Sequence, residues 1–177
     1  MTRNLICPYF LCCRTDILTR SDPYQTPDAA VRSQAQDLLF QAKCAALAFL
    51  RPDTGLPSVS RIALATDEAG CPISLISTLA EHTRALNACP NCALLIGESA
   101  DKGDPLTHPR LTLHVIAQPV HRDTAGYGDL RDWYLARRPK AKLYIDFADF
   151  GLVRFAIQDG LLNAGFGRAY RLTAQDF

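Results

Sequence analysis

The sequence predicts a mainly β protein, a closed or nearly closed barrel of about six antiparallel strands with peripheral helices. Three observations carry this. Short apolar runs follow one another with only turn residues between them, a pattern that favours antiparallel neighbours over helical crossovers. Residues 110–120 alternate cleanly, with Arg110, Thr112, His114 and Gln118 on one face and Leu111, Leu113, Val115 and Ala117 on the other, as a half-buried antiparallel strand does. Helical spacing occurs in single inserted segments, which leaves the strands to close on themselves.

Taken in order, Thr26-Pro27-Asp28 reads as a helix start, with Thr26 as N-cap and Pro27 at the first helical position. Val31, Ala35, Leu38, Leu39 and Ala42 then share one helical face. Strands are expected over 43–50, 58–66, 71–77 and 92–97, separated by the Pro- and Gly-containing loop 51–57 and the turn 67–70. Thr78 to Glu81 matches a capping box that opens a helix to about Ala88. Leu130, Trp133 and Tyr134 lie on one side of a helix that Pro139 stops. Residues 150–158 and 161–165 flank Asp159-Gly160, read as a two-residue hairpin.

Composition bounds the function. At 177 residues the chain is the size of one domain, able to bury roughly 70% of its unfolded surface. A net charge of +1 with no basic run argues against nucleic acid as a partner. No apolar stretch approaches the roughly 20 residues of a membrane span. The seven cysteines are odd in number and irregularly spaced, which suggests reduced thiols in the cytoplasm. Residues 1–25 are expected to be a leader outside the core, and 26–177 the domain. Leu5 to Cys13 is apolar between Arg3 and Arg14, but it is short for a signal peptide and no A-x-A cleavage site follows.

The chemistry points to an anion. Arg61, Ala63 and Ala65 share a strand face, a cation followed by two small side chains on which a flat ring system can lie. A helix start follows Ser77, and its free N–H groups and positive dipole end suit a phosphate. His82, Thr83 and Arg84 lie in its first two turns, and a guanidinium can grip two phosphate oxygens at once. Each of these residues also has a structural reading: Thr78 and Glu81 as a cap, Arg61 and Arg84 as solvated charges. Cys89-Pro90-Asn91-Cys92 has CxxC spacing, but it ends a helix and no second half-site completes a metal centre, so the thiols are read as structural and no metal is expected. His114 is read as satisfied or solvent-facing. Asp146 and Asp149 lie on an irregular segment that defines no acid–base geometry.

The runs Ser60-Arg61-Ile62-Ala63-Leu64, Ile76-Ser77-Thr78-Leu79-Ala80-Glu81-His82-Thr83-Arg84-Ala85-Leu86 and Cys89-Pro90-Asn91-Cys92-Ala93-Leu94-Leu95 resemble the pyridoxamine 5'-phosphate oxidase-related FMN-binding split barrels. The resemblance is greatest to the branch with the haem-utilisation (HugZ-type) proteins. Gly103 to Leu106, Arg110 to Leu113, Arg138-Pro139, Asp149-Phe150 and Gly165 to Gly167 extend it in order over residues 28–172. It implies a split β-barrel homodimer with FMN at the interface. Arg61, Ile62, Ala63 and Leu64 would lie along the flavin, and Ser77, Thr78, His82, Thr83 and Arg84 would form the phosphate turn. It also implies an FMN-dependent oxidoreductase of unknown substrate, with a non-enzymatic flavin- or haem-binding module or a haem-degrading protein as the alternative. The oxidase's strand lysine falls at Thr66 and its flavin-contacting glutamine at Leu111, and its C-terminal tryptophan and arginine are missing, which argues against pyridoxamine phosphate as substrate. Another phosphorylated flavin, such as deazaflavin F420, satisfies the same turn. In some of these relatives a histidine near the C-terminus contacts haem, whereas the last histidine of this sequence is His121, so the resemblance gives haem breakdown no support. Large apolar groups at Leu143, Tyr144, Phe147 and Phe150 are candidates for cover by the partner subunit.

Overall fold

The computed structural model describes residues 22–98 and 101–177, so most of the expected leader lies outside the described residues. Helix α1 (Ala29–Gln41) leads into strands β1 (Cys44–Leu50), β2 (Pro57–Ala63), β3 (Ala65–Thr66) and β4 (Pro72–Ser77). Helix α2 (Glu81–Ala88), β5 (Asn91–Ile96), β6 (Arg110–Val120), α3 (Tyr127–Arg137), β7 (Phe150–Asn163) and β8 (Ala169–Thr173) follow. All strand pairs are antiparallel, in the order β2-β1-β5-β6-β7-β4-β3, with β8 also on β7.

The two ends of that order, β2 and β3, are consecutive pieces of chain joined by Leu64 alone. The sheet therefore curls until its ends meet, which is the split barrel. The structure has eight strands where about six were expected: the strand 58–66 breaks at Leu64, the segments 150–158 and 161–165 merge into β7, and a further strand, β8, returns along β7. The break also shifts the side-chain alternation. Arg61 and Ala63 face outward, but Ala65 is only 2% exposed, so it leaves the face it was expected to share with them.

Two cores result. The larger lies inside the barrel, where Leu47, Leu94, Leu111, Leu113 and Phe155 are essentially solvent-free, and α1 closes it with Val31, Ala35 and Leu39. In the smaller, α3 sets Tyr127, Leu130 and Tyr134 against Ile73, Leu75 and Leu152. Trp133 keeps its polar edge satisfied by donating Nε1–H to the Thr66 carbonyl at 2.8 Å.

Three local expectations are corrected. The N-cap of α1 is Asp28, whose carboxylate accepts from Val31 N–H at 2.9 Å, not Thr26. The capping box at Thr78 does not form. The Thr78 amide donates instead to the Asp149 carbonyl at 2.7 Å, and the helix begins only at Glu81 with no side-chain cap. Asp159-Gly160 is not a hairpin, because β7 runs straight through it. Residues 115 and 114 of β6 oppose 157 and 159, which leaves Gln158 as the extra residue of a β-bulge. The hairpin comes later, where Gly165 (φ 119°) and Gly167 (φ 70°) adopt the left-handed conformations a tight return needs.

Gly160 is required for a different reason. A Cβ there would lie 3.1 Å from the Phe177 ring and 3.2 Å from Leu113. Gly160→Val is therefore expected to destabilise the fold by about 1–3 kcal/mol through overpacking, measurable as a lowered midpoint in urea unfolding.

Candidate functional site

The junction between β4 and α2 gathers several of the predicted residues. Ser77 Oγ donates to Asp149 Oδ2 at 2.8 Å and accepts from Leu79 N–H at 3.1 Å. Thr83 Oγ1 donates to the Ser77 carbonyl at 2.6 Å. Thr78 and Thr83 line a cleft of about 250 Å³ whose other walls include Asn87, His121, Arg122 and Phe150. Arg122 holds one side of it, donating to the carbonyls of Phe147 at 2.7 Å and of Ile145 and Phe150 at 3.2 Å.

The remaining predicted residues lie apart from this turn. His82 turns inward, its ring edge-on to Phe49 with centroids 6.2 Å apart, and its buried Nε2 has no hydrogen-bond partner. Burial lowers its pKa. Arg84 is exposed and makes no ion pair among the described residues. Ile62 and Leu64 point into the barrel core, while Ala63 is exposed. Arg61 stands on the outer face of the sheet, 79% exposed and 3.2 Å from Glu98. Its depression, shared with Cys44, Ala46 and Leu95, is a different one from the cleft beside Thr83. The structure thus joins Ser77, Thr78 and Thr83, while the side chain of Arg61 pairs with Glu98 and that of Arg84 makes no ion pair with that turn among the described residues.

The outer face around Arg61 is itself a feature. The register lines up Arg61, Ala46, Leu95, Thr112 and Leu161 in one row across β2, β1, β5, β6 and β7, and Val59, Ala48, Ala93, His114 and Asp159 in the next. Most of these side chains are small or apolar, and Val59 and Leu95 are 64% and 44% exposed. His114 Nδ1 lies 2.5 Å from Asp159 Oδ1, each side chain about half exposed. Sequence reasoning singled out His114 but not Asp159, because Asp159 was assigned to a turn. It missed Asp149 as the partner of Ser77 and Arg122 as the clamp on residues 145–150, since neither contact has a local sequence signal.

Cys44, Cys71, Cys89 and Cys92 are free thiols among the described residues. Burial, with Asp67 adding to it, pushes Cys71 up to about 11. Burial, with Cys89 adding to it, pushes Cys92 up to about 12. That is opposite to the activated thiolate a redox pair needs.

The closed sheet, the order of its strands and the inserted helices define a split barrel, and known proteins agree. No family model matches the chain. It is 42% identical over 101 residues, 56% of this chain, to the chloroplastic heme oxygenase HOZ of Arabidopsis thaliana, of which it covers 29%. It is 27% identical over 134 residues, 69% of this chain, to the heme oxygenase HutZ of Vibrio cholerae, of which it covers 70%. Among solved structures, a heme binding protein from Mycobacterium smegmatis superposes with a TM-score of 0.72 at 27% identity, over 86% of this chain and 60% of that one. The chain has the split-barrel fold of pyridoxamine 5'-phosphate oxidase-like proteins, and in sequence it is similar to these haem oxygenases and this haem-binding protein. It spans less than a third of the length of the plant relative. Among the described residues no helix is long and apolar enough to cross a membrane.

Two outcomes follow from the buried groups. The folded-state pKa of His82 lies below its ordinary 6.5, so the unfolded chain binds more protons as the pH falls through that value. Stability is therefore lost below about pH 6.5, and His82→Gln lessens the loss, as urea midpoints at pH 7.5 and 5.5 will show. At pH 8, a thiol reagent followed by peptide mass spectrometry is expected to find Cys71 and Cys92 protected in the native protein and labelled in guanidinium.

Proposed function

We propose that this chain is a haem-binding protein that works as a homodimer, with haem held against the outer face of the sheet. The observation that carries the reading is that face: flat, built of small and apolar side chains, and left exposed at Val59 and Leu95. A planar and largely apolar ligand buries such a surface favourably. Two relatives are named heme oxygenases and a third a heme binding protein, which supports this choice of ligand. Cover by a second subunit fits the exposure of Leu143 and Phe147, 79% and 56%, at the α3–β7 connection. A C₂ pair would use the same faces twice and give two equivalent sites.

A second reading keeps FMN, and with it a cytoplasmic flavin-dependent oxidoreductase. Arg84 favours it, an exposed cation in the first turns of α2 beside Thr83, with Arg61 reaching the ligand from the sheet face. Ile62, Ala63 and Leu64 would supply backbone along the ring, and Ser77, Thr78, His82 and Thr83 the phosphate turn. This reading is the less favoured because the hydroxyls of Ser77 and Thr83 already donate within the protein. The Asp149 carboxylate also lies beside Ser77, where a phosphate would bring like charge.

Titration of the purified protein with hemin and, separately, with FMN tests the two. Hemin is expected to bind at least about tenfold more tightly, a difference of roughly 1.4 kcal/mol, and light scattering of the haem complex to give a dimer. Tighter binding of FMN would reverse the order of the readings, and a monodisperse monomer that holds haem would remove the shared site. Loss of haem absorption with a reductant and oxygen present separates degradation from storage.

A further inference from the structure

The outer sheet face carries one polar device that its apolar neighbours do not account for, the pair of His114 and Asp159. We infer that His114 is the axial ligand that fixes haem iron to this chain, with Asp159 as the residue that positions its ring. This rests on the haem reading above and names the residue through which it acts.

The geometry has three parts. First, an ionised carboxylate only accepts hydrogen bonds, so Asp159 Oδ1 at 2.5 Å places the imidazole proton on Nδ1. In the neutral ring Nε2 is then the nitrogen with a free lone pair, the form a metal binds. A carboxylate behind a ligating histidine both orients the ring and makes it a stronger donor. Second, the pair is built into the sheet. His114 sits within β6 between two paired strands, and Asp159 within β7 between β6 and β8. The bulge at Gln158 reverses the alternation of β7. Phe155 points inward before it, Gly160 and Leu162 point inward after it, and Asp159 comes out on the same face as His114. A regular strand would not place the carboxylate there. Third, the surroundings suit a porphyrin. Thr112 and Ile116 flank His114 on its own strand and Ala93 lies opposite on β5, all uncharged, while the His114 side chain remains 49% exposed.

Other histidines are less suited. His82 packs its ring against Phe49 and buries Nε2. His121 lines the separate cleft that Thr83 and Arg122 share, and His108 lies in the loop between β5 and β6, outside the strands. Coordination here forms one Nε2–iron bond by donation of the lone pair, and no redox step is involved.

The experiment is hemin titration of the full chain, followed by resonance Raman of the reduced complex, for wild type, His114→Ala, Asp159→Asn and His108→Ala. Wild type and His108→Ala are expected to show an iron–histidine stretching band. His114→Ala should lose the band and bind hemin about tenfold or more weakly, and added imidazole should restore the histidine-type spectrum, which shows that the variant is folded and lacks only the ligand. Asp159→Asn should keep haem but move the band to lower frequency, because the imidazole donates less strongly. An unchanged band and affinity in His114→Ala would overturn the assignment and leave the haem reading standing. An unmoved band in Asp159→Asn would remove the positioning role. Wild-type protein that binds no hemin would overturn both the reading and the inference.

Discussion

The closure of the sheet is the constraint on which the rest depends. A sheet with an open edge leaves a row of unpaired amides and carbonyls, and a barrel removes that edge. Here closure comes from one stretch of chain that pairs in both directions, β2 with β1 and β3 with β4. The bend between them is secured from both sides. Leu64 N–H donates to the Lys43 carbonyl at 3.0 Å, and the buried Ser74 hydroxyl donates to the Ala63 carbonyl at 2.7 Å. An unpaired carbonyl at that seam would leave a buried polar group unsatisfied, at a cost of about 1–3 kcal/mol.

Closure also divides the molecule into an inside and an outside with different chemistry. Inside, the side chains of β1, β5, β6 and β7 fill the space to exclude water, and α1 seals one end. Outside, the same strands present whatever alternates with those core residues, and where β1 pairs with β5 that is Ala46, Ala48, Ala93 and Leu95. The exposed face is thus a consequence of strand alternation, and its small residues make it flat. The bulge in β7 modifies this face, because it brings Asp159 opposite His114. Gly160, next in the chain, turns inward and leaves room for the Phe177 ring. One local defect therefore serves both the C-terminal packing and the polar pair outside.

Much of this architecture was legible in the sequence. The strict alternation of residues 110–120 located β6 to the residue, and helical spacing placed α1 and α3 because each buries a stripe at intervals of three and four. The errors share a physical cause. At Thr78 and Asp159-Gly160 the local pattern indicated a cap and a hairpin, and a long-range partner prevailed in each case: the Asp149 carbonyl took the Thr78 amide, and the ladders from β6 and β8 kept β7 extended through Asp159-Gly160. Of the candidate site, Ser77, Thr78 and Thr83 meet because they are near in sequence. Arg61 is some twenty residues away, and its position depends on strand register.

The sequence by itself determined the fold class and its elements, because hydrophobic periodicity and turn chemistry act over a few residues and are written in the order of side chains. Tertiary structure decided what each polar side chain faces. Whether the Ser77 hydroxyl is free or bonded to Asp149, whether Arg61 meets Glu98, and whether His114 has a carboxylate behind it all depend on strands separated by up to 72 residues in the chain. A shift of one residue in their pairing turns a side chain from one face of the sheet to the other, and the bulge at Gln158 makes such a shift.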